Sequence, residues 1–163
     1  MTEAITETSL ARVIWLFILL LFGGCTKLDL TPRILPTSVP VKELLSAPEE
    51  VVIDGRRYVL KAHLYQNLMP GWPRGILAVI KVIALNSTAF PSSVDADHVW
   101  IIGPQIWECK LLPTNKPSPS ENILEKRVGD SPYCPKGYVE VIVRLVDGSG
   151  RSHLLRASRQ RIW

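Results

Sequence analysis

"YVEVIVRLVDGSGRSHLLRA", residues 138–157, decides the fold class. Its first nine residues alternate, placing Val139, Val141, Val143 and Leu145 on one face and Tyr138, Glu140, Ile142 and Arg144 on the other. A period of two belongs to a strand, because successive side chains of an extended chain point to opposite sides. The "DGSG" that follows is rich in turn formers, and it sends the chain back through "RSHLLRA". The pattern predicts an antiparallel hairpin.

The same period recurs upstream. "VVIDGRRYVLKAHLY" (51–65) reads as a second hairpin about Asp54-Gly55, a dipeptide that tolerates the positive φ angles of a type I′ turn. In its second arm Tyr58, Leu60, Ala62 and Leu64 share a face opposite Arg57, Lys61 and His63. "ILAVIKVIAL" (76–85) carries only Lys81 as a charge, so either face is apolar, and a central strand covered on both sides is expected. "HVWII" and "IWECKLL" are two short strands about "GPQ", with Trp100 assigned to the core. The segments 67–75, 86–97 and 113–137 read as connections. Six or seven strands without a long amphipathic helix predict an all-β fold, an antiparallel β-sandwich over residues 51–163, with a small β-barrel as the alternative. Size and strand count resemble immunoglobulin-like domains, in architecture alone, since no Cys…Trp…Cys spacing of antibody type is present.

The start of the chain is different. Val13 to Phe22 are ten consecutive apolar residues, about half of the roughly 20 that a bilayer-spanning helix needs. That length fits the apolar stretch of a secretory signal, and small residues follow it at Gly23 and Gly24. "LFGGC" (21–25) resembles the lipobox of bacterial lipoproteins. The resemblance implies removal of residues 1–24 and attachment of lipid to Cys25, which would then be held in a membrane of the bacterial envelope on the extracytoplasmic side. Secretion without lipid, an uncleaved anchor, or a helix of the fold are the other readings of the same run. Residues 25–50 contain Pro32, Pro36, Pro40 and Pro48 and read as a Pro-rich, semi-rigid tether, with one or two helical turns open to "VKELLSA".

Three cysteines leave an odd one. With Cys25 lipidated, Cys109 and Cys134 form a natural pair, and a disulfide between them would pin the long connection to the sheet; two free thiols are the other reading. Formal charge is +4. Without Arg12, Glu3 and Glu7 it becomes +5, from 18 basic and 13 acidic side chains, too dilute for a nucleic-acid binder.

Chemistry is sparse. His63, His98 and His153 stand alone, and no metal-ligand spacing, phosphate-binding glycine loop or nucleophile elbow occurs in the sequence. Asp95 and Asp97 lack the glycine and distal glutamate of a calcium loop, while Ser92 and Ser93 lie too near Asp97 and His98 for triad geometry. These features argue against an enzyme and call for no metal or cofactor. Trp72, in a Pro/Gly loop, and the C-terminal Arg156, Arg159 and Arg161 are the candidate binding residues. The expectation is a membrane-tethered lipoprotein whose sandwich is a binding or structural module contacting another envelope protein, alternatively a module that binds carbohydrate or an anionic polymer, with an envelope enzyme as the third reading.

Overall fold

The computed structural model describes residues 37–71, 75–87, 89–112, 121–129, 131 and 136–163. Eight strands form two antiparallel four-stranded sheets packed face to face, an all-β sandwich. The first sheet runs β1 (Glu50–Ile53), β2 (Arg56–Gln66), β3 (Ile76–Ala84), β6 (Ile123–Val128). The second runs β5 (Ile106–Lys110), β4 (Asp95–Ile102), β7 (Tyr138–Val146), β8 (Ser152–Arg161). If β2 to β8 are taken as strands A, B, C, C′, E, F and G, the first sheet holds A, B and E and the second C′, C, F and G. That partition is the one immunoglobulin-like sandwiches use, and β1 is an added edge strand.

Both predicted hairpins are present. Asp54 and Gly55 adopt φ of 50° and 75°, as the tight β1–β2 turn requires. Asp147 anchors the β7–β8 turn: its carboxylate accepts from the amides of Ser149 and Arg151, the Ser149 hydroxyl and the Arg151 Nε, with His153 Nε2 at 3.0 Å. Hydrogen bonds from Ser149 and His153, outweighing burial, hold this carboxyl well below the usual carboxylate range.

The main core lies between the sheets. Val139, Val141, Val143 and Leu145 of β7 meet Tyr58, Leu60 and Leu64 of β2 and Ile76, Ile80 and Val82 of β3 there, all buried. One side of the sandwich is closed by main chain. Leu64 and Ile162 form a parallel bridge, the Trp163 amide donates to the Leu64 carbonyl, and the Gln66 amide donates to Trp163.

β6 was not expected, because it lies inside the stretch 113–137 read as a connection. Its inward positions are Leu124, Lys126 and Val128, so a lysine breaks the apolar alternation. Lys126 is 3% exposed; its ammonium donates to the Leu112 carbonyl at 3.0 Å and pairs with Asp95 across the sandwich at 2.7 Å. Gly75, before β3, fits only as glycine, since a Cβ there would stand 1.8 Å from the Ser131 carbonyl oxygen.

Residues 37–49, read as tether, pack on the domain. They cross the outer face of the second sheet along one row of directly opposed residues, Glu108 of β5, Trp100 of β4, Ile142 of β7 and Arg156 of β8. Ser38 donates its amide and hydroxyl to Glu108 at 3.0 and 2.8 Å. The single-turn helix α1 (Val41–Leu45) follows Pro40, whose fixed φ suits a helix start. Leu44 and Ala47 bury against Trp100, Ile102 and Ile142 in a second, smaller core. Beyond it the Arg156 amide donates to the Pro48 carbonyl at 2.8 Å, and its guanidinium bonds the Leu45 carbonyl and reaches Glu49 at 3.7 Å. The packed domain therefore begins upstream of residue 50. No helix among the described residues is long and apolar enough to cross a membrane.

Candidate functional site

The outer face of the first sheet is where the structure departs most from expectation. β3 was expected to be covered on both sides; only its Ile76, Ala78, Ile80, Val82 and Ala84 face is buried, and the other carries Leu77, Val79, Lys81 and Ile83. No described segment lies over that second face. The strand registers arrange it in rows. Val59, Ile83 and Ile123 lie side by side across β2, β3 and β6, as do Lys61, Lys81 and Glu125; His63, Val79 and Arg127 follow, and then Tyr65 beside Leu77. Val52 on β1 is 62% exposed and Tyr65 45%. The charged side chains pair with each other, Lys81 with Glu125 at 3.7 Å within one row and Arg127 with Glu125 at 2.9 Å between adjoining rows. A solvent-facing side of an antiparallel sheet is ordinarily polar, whereas this one carries half-buried valine and isoleucine beside exposed Leu77 and Tyr65.

A second exposed group lies at the far end of β7 and β8, on the same side of the second sheet as residues 37–49. Tyr138 and Arg161 are directly opposed, and a β-bulge sets two residues of β8 against Glu140. At the bulge Arg159 takes φ of 49°, costly for a residue with a Cβ. The Glu140 carboxylate accepts from the Arg159 amide at 3.0 Å and so holds this conformation. The result aims the Arg159 guanidinium over the Tyr138 ring, 5.5 Å from its centre, while Arg161 lies over Trp163 at 4.6 Å. Both rings are largely exposed, at 59% and 68%.

The sequence-derived candidates divide. Arg156 fastens residues 45–49, through Pro48, Leu45 and Glu49. Arg159 and Arg161 are exposed and come together. Their ring partners Tyr138 and Trp163 were missed; a strand register would have been needed to place Tyr138 opposite Arg161. Cys25 and Trp72 lie outside the described residues. Of the expected disulfide, Cys109 is a free thiol and Cys134 lies outside the described residues. Cys109 faces the core from β5, donates to the Lys110 carbonyl at 3.4 Å, and has its pKa pushed up by burial, which keeps it protonated.

The remaining polar candidates are consumed structurally. Asp95 pairs with Lys126. Asp97, the extra residue of a bulge in β4, receives Arg144 in a two-pronged bond of 2.8 and 2.6 Å. Burial opposes ionisation of Asp97, but bonds from Arg144 and His98 prevail and leave its carboxyl below the usual range. His98 stacks on Trp100 with ring centres 5.9 Å apart, His153 is held by Asp147, and His63 lies in the other sheet. Among the described residues no three metal-binding side chains converge.

Comparisons with family models, with curated proteins and with solved structures found no match to this chain.

Proposed function

We propose that the protein is a membrane-tethered, extracytoplasmic lipoprotein of the bacterial envelope, lipidated at Cys25. Its sandwich is a non-catalytic module that docks another envelope protein through the outer face of the first sheet. The observation that carries the docking part is the outer face of β3, with Leu77 exposed and Val79 and Ile83 half-buried beside half-buried Val59 and Ile123 and exposed Tyr65. Its mixture of apolar rows and paired charges suits a protein surface, where apolar anchors supply affinity and charged pairs fix register. Lipid tails would disfavour the Lys61, Lys81 and Glu125 row that crosses the same face.

A photo-crosslinking residue placed at Val79 in the full chain, expressed in its own envelope, tests this reading. A discrete protein adduct is expected from Val79, and none from the same residue placed at Leu45 on the opposite side of the sandwich. An adduct containing two copies of this chain would replace the heterologous partner by a dimer. Equal, diffuse labelling at both positions would contradict a docking face. The lipid on Cys25 is read separately, from the mass of the N-terminal peptide of the mature protein; an unmodified cysteine there removes the tether.

A further inference from the structure

Residues 37–49 leave the second sheet's outer face at the β5 edge, where Ser38 is fastened to Glu108. Only eleven residues lie between Cys25 and Thr37, a reach of at most ~40 Å at ~3.3–3.6 Å per residue step. Had all of residues 25–50 been free tether, the reach would have been about double. The packing of residues 37–49 thus fixes the face of the domain to which the preceding residues are joined. That same face carries, beyond the strap, the exposed Tyr138, Arg159, Arg161 and Trp163 group.

We infer that this group is a second membrane contact, in which Arg159 and Arg161 engage the phosphates of anionic lipid headgroups while Tyr138 and Trp163 enter the interfacial layer. The inference rests on the tethered reading above and adds a docked orientation to it. Three observations carry it. Among the described residues neither guanidinium has an ion-pair partner, while on this face Asp97 is paired by Arg144 and Glu49 by Arg156, and Glu108 and Glu140 accept from the neutral Ser38 and the Arg159 amide. Stacking each guanidinium on a ring leaves its N–H edge free for phosphate, which Arg can grip with two parallel bonds. Tyrosine and tryptophan, with an apolar body and a polar tip, are the side chains that settle at the bilayer–water boundary. With the second sheet turned to the lipid, the open face of the first sheet points away from the membrane, toward a partner.

Arginine footprinting with phenylglyoxal, read by mass spectrometry on the full chain added to vesicles, tests the inference. Arg127, whose side chain is 79% exposed on the first sheet, serves as internal reference. On vesicles of phosphatidylglycerol and phosphatidylcholine in equal parts, modification of Arg159 and Arg161 should slow by about fivefold or more relative to pure phosphatidylcholine. Arg127 should react equally on both. Equal rates at Arg159 and Arg161 on the two vesicles would overturn the inference, as would protection by a soluble acidic polysaccharide without any vesicle. Sedimentation with neutral vesicles reads the N-terminal attachment independently: its loss, with protection on anionic vesicles intact, would fail the tether and keep the contact. The conservative double variant Arg159→Lys/Arg161→Lys, which keeps the charge and loses the two-pronged phosphate grip, should keep the fold and show weaker protection of the two substituted positions by anionic vesicles in amine labelling than the arginines show with phenylglyoxal.

Discussion

The two outer faces of this sandwich began from similar sequence and ended differently. β4 carries Trp100 and Ile102 on its outer side, and β3 carries Val79 and Ile83. Over the first pair the chain lays its own residues 37–49, burying Trp100 and Ile142 completely beneath Leu44 and Ala47. Over the second pair no described segment lies. Hydrophobicity alone therefore did not determine which face was covered; the positions of a proline-bounded helical turn and of Arg156, which clamps the crossing segment at the β8 edge, did. One face is covered by the chain itself and contributes to stability, and the other is the face proposed for a partner.

Substitutions can break this contrast. The largest effect is expected under the strap: Trp100→Ala should cost about 3–5 kcal/mol in urea unfolding, because a fully buried indole is lost from both sheet and strap. Leu44→Ala should cost about 2–3 kcal/mol, and early proteolysis near residue 45 should accompany it as the strap loosens. A loss at either position within about 0.5 kcal/mol would mean that the strap does not contribute to the fold. At Asp147 the folded-state pKa is depressed, so its contribution is complete above about pH 4 and fades as pH falls toward the carboxyl's own lower pKa. Acid unfolding of Asp147→Asn should accordingly show a shallower low-pH limb than the wild type, the two converging at the acid end.

Smaller effects sharpen the other side of the contrast. Arg159→Gly relieves a positive φ and should stabilise the fold by up to about 1 kcal/mol in thermal unfolding, while weakening attachment to anionic vesicles. Ile83→Thr on the open face should leave stability within about 0.5 kcal/mol and abolish partner crosslinking. If that variant instead cost as much as Leu44→Ala, the first sheet's outer face would belong to the core.

Much of the fold was legible because local rules agreed. The β7 alternation, the Asp54-Gly55 turn and the apolar β3 each specified one element, and the elements together specified a sandwich. β6 was hidden by Lys126, an inward lysine whose cost is met only by Asp95 and the Leu112 carbonyl, partners distant in sequence. The strap was hidden because its prolines are equally compatible with an extended spacer and with a segment laid flat on a sheet. Leu44 and Ala47, three apart, are too few to signal a buried face. The C-terminal arginines were legible as charge, yet their division into Arg156 as a clamp and Arg159 and Arg161 as an exposed pair depended on a bulge. Its positive φ at Arg159 carries no glycine to announce it.

Carbene footprinting of the full chain, read residue by residue in solution, tests the contrast between the two faces most directly. Leu77 should label strongly and Val79 and Ile83 measurably, while Leu44, Trp100 and Ile142 should be protected. Comparable labelling of both sets, or protection of the first set with labelling of the second, would contradict it.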